Sequence, residues 1–469
     1  MSSALSVILT LLLLAGLIVG IVKKLNPVML LFFLSVVGLL VYGAITGTGL
    51  AATTTGNALL DVFAYFDETW KSGFTGNALI VICIVGYVGY MNHLKASNIF
   101  AILVAKQLLR FKNAKWVAGV VAIVLIYWMS MGVPSGVAFL ALLYGTLYPV
   151  LRYLGMNGLT ASSLLICSTG IFATPNNAFG MTQMEMFGMD PASMPQVWAK
   201  NLFPLVIFMW IGIAVGFIVW SKIQDKLDEK KHSPYIHNDP IPVPDPKELG
   251  VPYYYAILPL LPLIFIICGS SLVQQQVTLS IVAATVLAFV VAFVVRYLSA
   301  LRKMSFQEAV EESHTFFKEV GGAVGYIGML IVCGMFFSGT LTAFGGFNII
   351  TNFLLNTLKM PLAAFLMIFT LISALMYCVS GSNSLSIFAI TPLVAQTVLE
   401  TRPEWAMLAF CLMSMTYGNF GAAISPISSG NLLVAGSEKV PVNALIKRTA
   451  VPTLLGMLFS SIAAFVLFG

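Results

Sequence analysis

The chain has 469 residues, of which 59% are hydrophobic and 9% charged, with a mean hydropathy of +0.95 and a formal net charge of +6. A soluble domain carries about 25% charged residues, so a soluble globular fold is excluded. Only helices and closed barrels satisfy every peptide group in lipid, and the apolar runs here are continuous and far longer than the ~10-residue alternating segments of a barrel strand.

The fold class is therefore an all-α polytopic membrane protein. Hydropathy places about ten transmembrane helices, near 4–22, 27–47, 74–92, 157–182, 201–220, 253–269, 277–295, 321–342, 404–434 and 449–467. The first is read as a span rather than a signal peptide, because Lys23 and Lys24 follow the apolar run and no A-x-A site is present. Two further apolar blocks, 116–151 and 361–400, are read as re-entrant hairpins. The arms of the first hold about 15 residues each and reach about 22 Å, short of a ~30 Å hydrocarbon core. Those of the second hold about 16–18 residues, nearer the ~20 of a full span.

Lysine and arginine set the sidedness. With both termini outside, 20 of the 24 fall on the cytoplasmic side and four, Lys71, Lys200, Lys359 and Arg402, fall outside. The positive charges sit beside membrane segments, so they point to orientation and not to nucleic acid. Each half then holds five crossings and one hairpin, and because five is odd the second half enters from the opposite face. The expectation is an inverted repeat. Residues 1–220 form the first unit, with hairpin 116–151 dipping in from the cytoplasm. Residues 253–469 form the second, with hairpin 361–400 dipping in from outside. The Pro-rich segment 221–252 joins them as a cytoplasmic linker with polyproline character. The amphipathic stretches Asp61–Lys71 and Glu308–Lys318 precede the third helix of each half and are expected to lie in the interface plane, as bracing arms or as anchors.

Each half carries two polar interruptions inside apolar sequence. The first half has Ser130, Pro134, Ser135 and Gly136, then Thr174, Pro175, Asn176 and Asn177. The second has Ser380, Gly381, Ser382, Asn383 and Ser384, then Asn419, Ser425, Pro426, Ser428, Ser429 and Asn431. Ser135 pairs with Ser382 at an offset of 247, and Thr174 with Ser425 at 251. Discontinuous helices at matching places in two halves mark the binding site of a secondary transporter. Their freed N–H groups and dipoles suit an anion, and their carbonyls with Ser, Thr and Asn oxygens suit a hard cation such as Na⁺. All of these residues are candidate substrate and ion ligands.

Other chemistry is sparse. The six cysteines, Cys83, Cys167, Cys268, Cys333, Cys378 and Cys411, lie in apolar runs without a CxxC pair and read as small buried hydrophobes. All 18 acidic residues fall in expected loops, interfacial segments or hairpin rims, with Glu185 and Asp190 nearest the membrane as rim residues. No ionisable group is expected at the bilayer centre, where proton relays place one. That tilts coupling toward Na⁺ or exchange, with H⁺ left open, and no catalytic residue, cofactor or metal beyond Na⁺ is expected. The chain is not read as an enzyme, since no His, Asp, Glu or metal constellation lies at membrane depth.

The chain resembles the DcuC-type anaerobic C4-dicarboxylate transporter family, within the wider superfamily of inverted-repeat ion transporters. The likeness covers most of the length. It is carried by Tyr254-Tyr255-Ala256-Ile257-Leu258-Pro259, by Ser380-Gly381-Ser382-Asn383, and by the run from Asn419-Phe420-Gly421 through Ser425-Pro426 to Val434-Ala435-Gly436 and Lys447-Arg448-Thr449-Ala450-Val451-Pro452. The resemblance implies secondary transport of succinate, fumarate or malate across a bacterial inner membrane, a homodimer, and an elevator motion of hairpins and broken helices. Two positions depart from the family pattern. Ala422 stands where an Arg is frequent, and Asn176 and Asn177 stand where the first-half break tends to carry an acid. Arg is a natural bidentate carboxylate ligand, so a monocarboxylate or hydroxy acid is an alternative substrate. A Na⁺/H⁺-type antiporter of the same superfamily is a second alternative.

Overall fold

A computed structural model describes residues 2–23, 25–111, 114–132, 136–171, 173–230, 242–268, 279–301, 303–380, 386–416 and 421–469, and every regular element among them is helical. The chain opens with α1 (Ser3–Val22) and α2 (Pro27–Thr46). Asn26 starts α2, its side chain accepting from the amides of Val28 and Met29 with Pro27 in the first turn, and Gly47 ends it at φ +69°. The amphipathic α3 (Asp61–Gly73) runs through a π-helical turn at Phe74–Ala78 straight into α4 (Leu79–His93). Lys95, at φ +58°, turns the chain into α5 (Ala96–Lys106).

The next helices are α6 (Lys115–Ser130), α7 (Gly136–Tyr153), α8 (Gly158–Thr169) and α9 (Ala178–Met186). The short α10 (Met194–Val197) then passes through a π-helical turn into α11 (Phe203–Lys230). A 3₁₀ run at Tyr253–Leu260 leads into α12 (Leu261–Cys268), followed by α13 (Ile281–Ala300). A Ser305–Glu308 capping box starts α14 (Phe306–Ala323), which runs through a second π-helical turn at Val324–Gly328 into α15 (Met329–Phe344). Gly345, at φ +65°, turns into α16 (Gly346–Asn352). The chain closes with α17 (Leu362–Ser380), α18 (Thr391–Thr401), α19 (Ala406–Thr416), α20 (Ala422–Ile424), α21 (Ser429–Glu438) and α22 (Val442–Phe468).

Among the described residues six helical stretches are long and apolar enough to cross a membrane unaided: Ser3–Gly20, Pro27–Thr46, Lys115–Gly132, Pro191–Lys230, Ile281–Ala300 and Val442–Phe468. The chain is thus a polytopic helical membrane protein. The remaining expected spans consist of shorter helical pieces, and several boundaries differ from expectation. The helix begun before 201 continues to Lys230, through positions 221–230 expected as linker. Hydropathy marks where apolar side chains stop, whereas the polar last turns here keep helical geometry through ion pairs to α22. The segment expected at 277–295 is helical over 281–300. The amphipathic segments at 61 and 306 are continuous with the third helices, because the π-helical turns keep the chain helical between them. The helices α5 and α16 went unanticipated, since 11 and 7 residues fall below the ~20-residue length of a span.

Helix packing is reciprocal between the halves. The helix α4 packs on α13 and α14, while α15 packs on α2 and α3. Likewise α5 packs on the 253–260 run and α16 on α1, and the two terminal helices α11 and α22 pack on each other along their length. Glycines admit these approaches. A Cβ at Gly212 would lie 2.5 Å from the Leu455 carbonyl oxygen and 2.7 Å from the Gly456 Cα, so α11 and α22 meet backbone to backbone. Lipid offers no hydrophobic drive for helix association, and such contact is what holds membrane helices together. Gly86 and Gly89 on α4 likewise admit Val320 and Glu319 of α14. A charged cluster fastens the same junction. Arg296 donates to Glu312 at 2.6 and 2.9 Å, with His93 Nε2 3.5 Å from the same carboxylate.

Candidate functional site

Of the four expected interruptions, the second in each half lies largely among the described residues, and both of these breaks are present. In the first half α8 stops at Thr169 and α9 starts at Ala178, and the Asn177 side chain accepts from the Phe179 amide to cap α9. In the second, α20 stops at Ile424 and α21 starts at Ser429, and the Ser428 hydroxyl accepts from the Asn431 amide to cap α21. Asn, Asp, Ser and Thr lead at this position because their side-chain oxygens satisfy amides left free by the first turn. The two caps stand at the same sequence offset as Thr174 and Ser425.

Each break is tied to the helix of the neighbouring apolar block. Asn176 Nδ2 donates to the Met131 carbonyl at 2.9 Å, and Tyr127 Oη on α6 donates to the Ala173 carbonyl at 2.5 Å while accepting from Trp198 Nε1 at 2.9 Å. Ser425 Oγ donates to the Cys378 carbonyl on α17 at 2.7 Å. The two carbonyls so engaged, of Met131 and Cys378, stand at the same offset as Ser135 and Ser382. The second break is also closed internally. Asn431 Nδ2 reaches the carbonyls of Ala422, Ala423 and Ser425 at 3.1, 3.3 and 2.8 Å, and Thr449 Oγ1 on α22 donates to Ala423 at 2.6 Å. These bonds satisfy carbonyls that the end of α20 leaves unpaired.

A cavity of about 70 Å³ lies between the elements. Gly136, the first residue of α7, lines it together with Thr169 and Gly170 at the end of α8, Tyr377 on α17, Ala422, and the start of α21 from Ser428 to Asn431. No charged side chain lines it among the described residues. Gly136, Ser428, Ser429 and Asn431 are brought together here as expected. Thr174, Pro175, Asn176 and Asn177 are buried nearby but do not line this cavity. Thr169 and Gly170, just upstream, take that place, and the helix end that exposes them carried no signal beyond a Thr-Gly pair. Pro426 is exposed. Ser130 donates back to the Tyr127 carbonyl at 2.7 Å, which engages its hydroxyl within its own helix. The backbone of Ser380 ends α17, while Pro134, Ser135, Gly381, Ser382, Asn383, Ser384 and Asn419 lie outside the described residues.

Two amide oxygens beside the first break, Asn176 Oδ1 and Gln183 Oε1, are buried without a hydrogen-bond partner. Gln183 Nε2 donates to Thr391 Oγ1 at 3.1 Å, which joins α9 to α18. Buried polar atoms are nearly always paired, and these two are among several such side-chain atoms in the described residues. No group of three or more His, Cys, Asp or Glu gathers among the described residues. A second, larger cavity, of about 440 Å³, separates α9 from α3 and α15, with Glu185 and Thr182 facing Tyr65, Met335, Ser338 and Thr342.

Burial distinguishes two of the acids expected in loops, interfaces or rims, Asp61 at the start of α3 and Glu438. Glu438, at the end of the broken helix α21, is 7% exposed and accepts from Tyr144 Oη on α7. Arg448, on α22, is 1% exposed, and its two terminal nitrogens each lie 2.6 Å from a carboxylate of α11, Asp225 and Asp228. The same guanidinium donates to Thr160 Oγ1 at 2.6 Å. Among the cysteines, Cys268 is exposed and Cys378 half-buried, and the other four are buried.

Known proteins place this architecture. A transporter named YdaH from Alcanivorax borkumensis shares the fold, with a TM-score of 0.52 at 16% identity over 94% of this chain and 98% of that one. MtrF of Neisseria gonorrhoeae, described within a class of antimetabolite efflux pumps, gives 0.54 at 15% identity over 94% and 95%. A Vibrio cholerae protein named "Probable anaerobic C4-dicarboxylate transporter DcuC" is 25% identical over 88% of this chain and 87% of its own. The anaerobic C4-dicarboxylate transporter DcuC of Escherichia coli K12 is 23% identical over 91% and 89%. The model of the DcuC family, described as C4-dicarboxylate anaerobic carriers, matches residues 1–469, so this chain belongs to the DcuC family of carriers.

Proposed function

We propose that this chain is a secondary active transporter of small carboxylates, C4-dicarboxylates above all, working by alternating access. The observation that carries the reading is the meeting of two helix N-termini, of α7 and α21, on one cavity with no charged lining among the described residues. Each N-terminus presents free N–H groups and roughly half a positive charge. Two of them, with the Ser429 hydroxyl, can bind an oxyanion without a counter-cation. The names of the relatives support the C4-dicarboxylate class. Ala422 lines this cavity where the family pattern has an Arg, and this favours a second reading, a monocarboxylate or hydroxy acid that needs one anion site fewer.

The reciprocal packing, the paired π-helical turns and the paired caps support an inverted repeat, with 116–151 and 361–400 entering from opposite faces as hairpins, the Lys115–Gly132 arm of the first being long enough to cross fully. The coupling ion is Na⁺ or H⁺. A homodimer with an elevator motion, in a bacterial inner membrane with both termini outside, completes the proposal.

Counterflow in proteoliposomes tests it, with labelled mono- and dicarboxylates, with and without Na⁺. Dicarboxylate counterflow is the expected result, and absence of counterflow for every carboxylate overturns the substrate class. Ser135→Ala and Ser382→Ala should each lower transport severalfold at normal expression. Wild-type rates would remove either residue from the site.

A further inference from the structure

Among the described residues two acids are buried: Asp61, held by the Thr55 amide and hydroxyl, and Glu438, which anion binding does not use. Glu438 closes the last turn of α21, the helix whose first turn lines the proposed anion cavity, and α21 packs on α7, α8, α20 and α22. Its Oε1 accepts from Tyr144 Oη. A Cβ built at Gly158, the first residue of α8, would collide with its Oε2 and would meet Tyr148 Oη at 3.1 Å and Arg152 Nη1 at 3.2 Å. Gly158 therefore leaves room for the carboxyl in a niche between three helices. The Tyr144 and Tyr148 rings stack at 4.3 Å and form one wall, and Arg152 Nη1 donates to Tyr148 Oη at 2.8 Å.

The charged and titratable groups around the niche come from several elements. The helix α7 supplies Tyr144, Tyr148 and Arg152, and α20 supplies none. On α22, Arg448 is bound to Thr160, Asp225 and Asp228. On α21 itself Lys439 follows Glu438 and is exposed. Glu438 makes no ion pair within 4 Å with Arg152 or Arg448, whereas Asp225 and Asp228 both pair with Arg448. A carboxyl taken out of water without a cation in contact prefers its neutral form.

Resting on the carrier reading above, we infer that Glu438 is a proton-binding site of the transport cycle. The anion cavity and the Glu438 niche then sit at opposite ends of α21 and share α7 as their other wall. Movement of α21 against α7 changes both together. One proton binds a Glu438 carboxylate oxygen when the niche opens to water, and the same O–H bond breaks when it reopens on the other side of the cycle, so no other reactant is involved. Burial lifts the Glu438 carboxyl to about 7, which is where a proton can load and unload near neutral pH. From sequence, coupling tilts toward Na⁺ or exchange with H⁺ left open, and this reading favours H⁺. The sequence alone showed Glu438 as a loop acid beside Lys439.

The test uses the full-length protein in proteoliposomes containing a trapped pH indicator. Wild-type protein should move protons with succinate, and an imposed pH gradient should drive succinate accumulation. Glu438→Gln should keep succinate counterflow within about twofold, lose proton movement, and lose accumulation driven by the gradient. Proton movement by Glu438→Gln at the wild-type ratio to succinate overturns the inference, as does wild-type succinate transport without proton movement. Absence of wild-type counterflow with any carboxylate instead overturns the carrier reading. Infrared difference spectra on the same protein give a readout independent of transport. A protonated-carboxyl band titrating near neutral pH should be present in wild type and missing in Glu438→Gln. Its persistence in the variant refutes the assignment. Should Glu438→Gln fail to fold, Tyr144→Phe serves instead. Loss of the donor to the carboxylate should shift the band's midpoint and the pH optimum of transport upward together, and an unmoved midpoint counts against the site.

Discussion

Asn431 carries two jobs at one residue. Its Nδ2 shares two hydrogens among three carbonyls at the end of α20, and its backbone amide donates to the Ser428 cap. Each buried group left unpaired costs about 1–3 kcal/mol. Asn431→Ala should therefore lower the melting temperature in detergent as well as transport. Ser429→Ala should differ, because Ser429 is exposed and lines the cavity. Thermal stability should stay at the wild-type value while the KM for carboxylate rises severalfold. Equal KM values for Ser429→Ala and wild type would remove its hydroxyl from the anion site. At Arg448 the effect is purely structural. Arg448→Met leaves two carboxylates of α11 facing an apolar side chain and should cost about 3–5 kcal/mol, read as a large fall in melting temperature. Glu438 adds a pH signature. Its folded value of about 7 lies above the ordinary 4.5, so the folded state binds the proton more tightly. Its contribution is full below the unfolded value of 4.5, and it falls as pH rises through the folded value of about 7, then levels. Glu438→Gln should flatten that slope in melting temperature.

Among the elements, the helix ends matter more than the helix bodies. The bodies of α6, α8 and α19 satisfy their own peptide groups and offer little to a solute. The ends at 169–178 and 424–429 expose amides and carbonyls, which is why Asn177, Ser428 and Asn431 sit there. The pairing of α11 with α22 depends on the opposite property, the lack of any side chain at Gly212, Gly216 and Gly456. A methyl group at Gly212 points into the Leu455–Gly456 backbone, which cannot move as a flexible side chain can. Gly212→Ala should cost about 1–3 kcal/mol and, through α22, loosen the Thr449–Ala423 bond of the second break. A thermal-stability assay gives the first effect, and carboxylate counterflow gives the second.

At the scale of the whole molecule, exchange of partners between halves is the dominant pattern. The third helix of each half packs on helices of the other, and the last helices pack together. The proposed motion would change the larger cavity, where α9 faces α3 and α15. Cysteines introduced as Glu185→Cys and Ser338→Cys, with the six native cysteines replaced, place one thiol on each wall. A cleavable bifunctional thiol reagent should stop transport in the double variant and not in the single ones, and reduction should restore it. Undiminished transport after complete cross-linking would show that these walls do not move apart.

The membrane class and the two polar interruptions per half were legible in the chain itself. Hydrophobic content is a property of composition, and a Ser, Pro, Gly and Asn cluster breaks a helix wherever it stands. That Asn177 and Ser428 cap the helices that follow came only with the structure. Local pattern could not tell that Thr169, Gly170 and Tyr377 share a cavity with Ser429, that Asn176 turns toward Met131, or that the helix at 203 keeps going to Lys230. Nor could it distinguish Glu438 from the exposed acids. Burial depends on which distant helices arrive, and here Tyr144 comes from 294 residues away in the chain. The sequence by itself determined the solvent this protein lives in and where its helices must fail, because both follow from side-chain chemistry within a short stretch of chain. Only the tertiary structure decided which failed ends meet and which charges lose their water, because both depend on contacts between segments far apart in sequence.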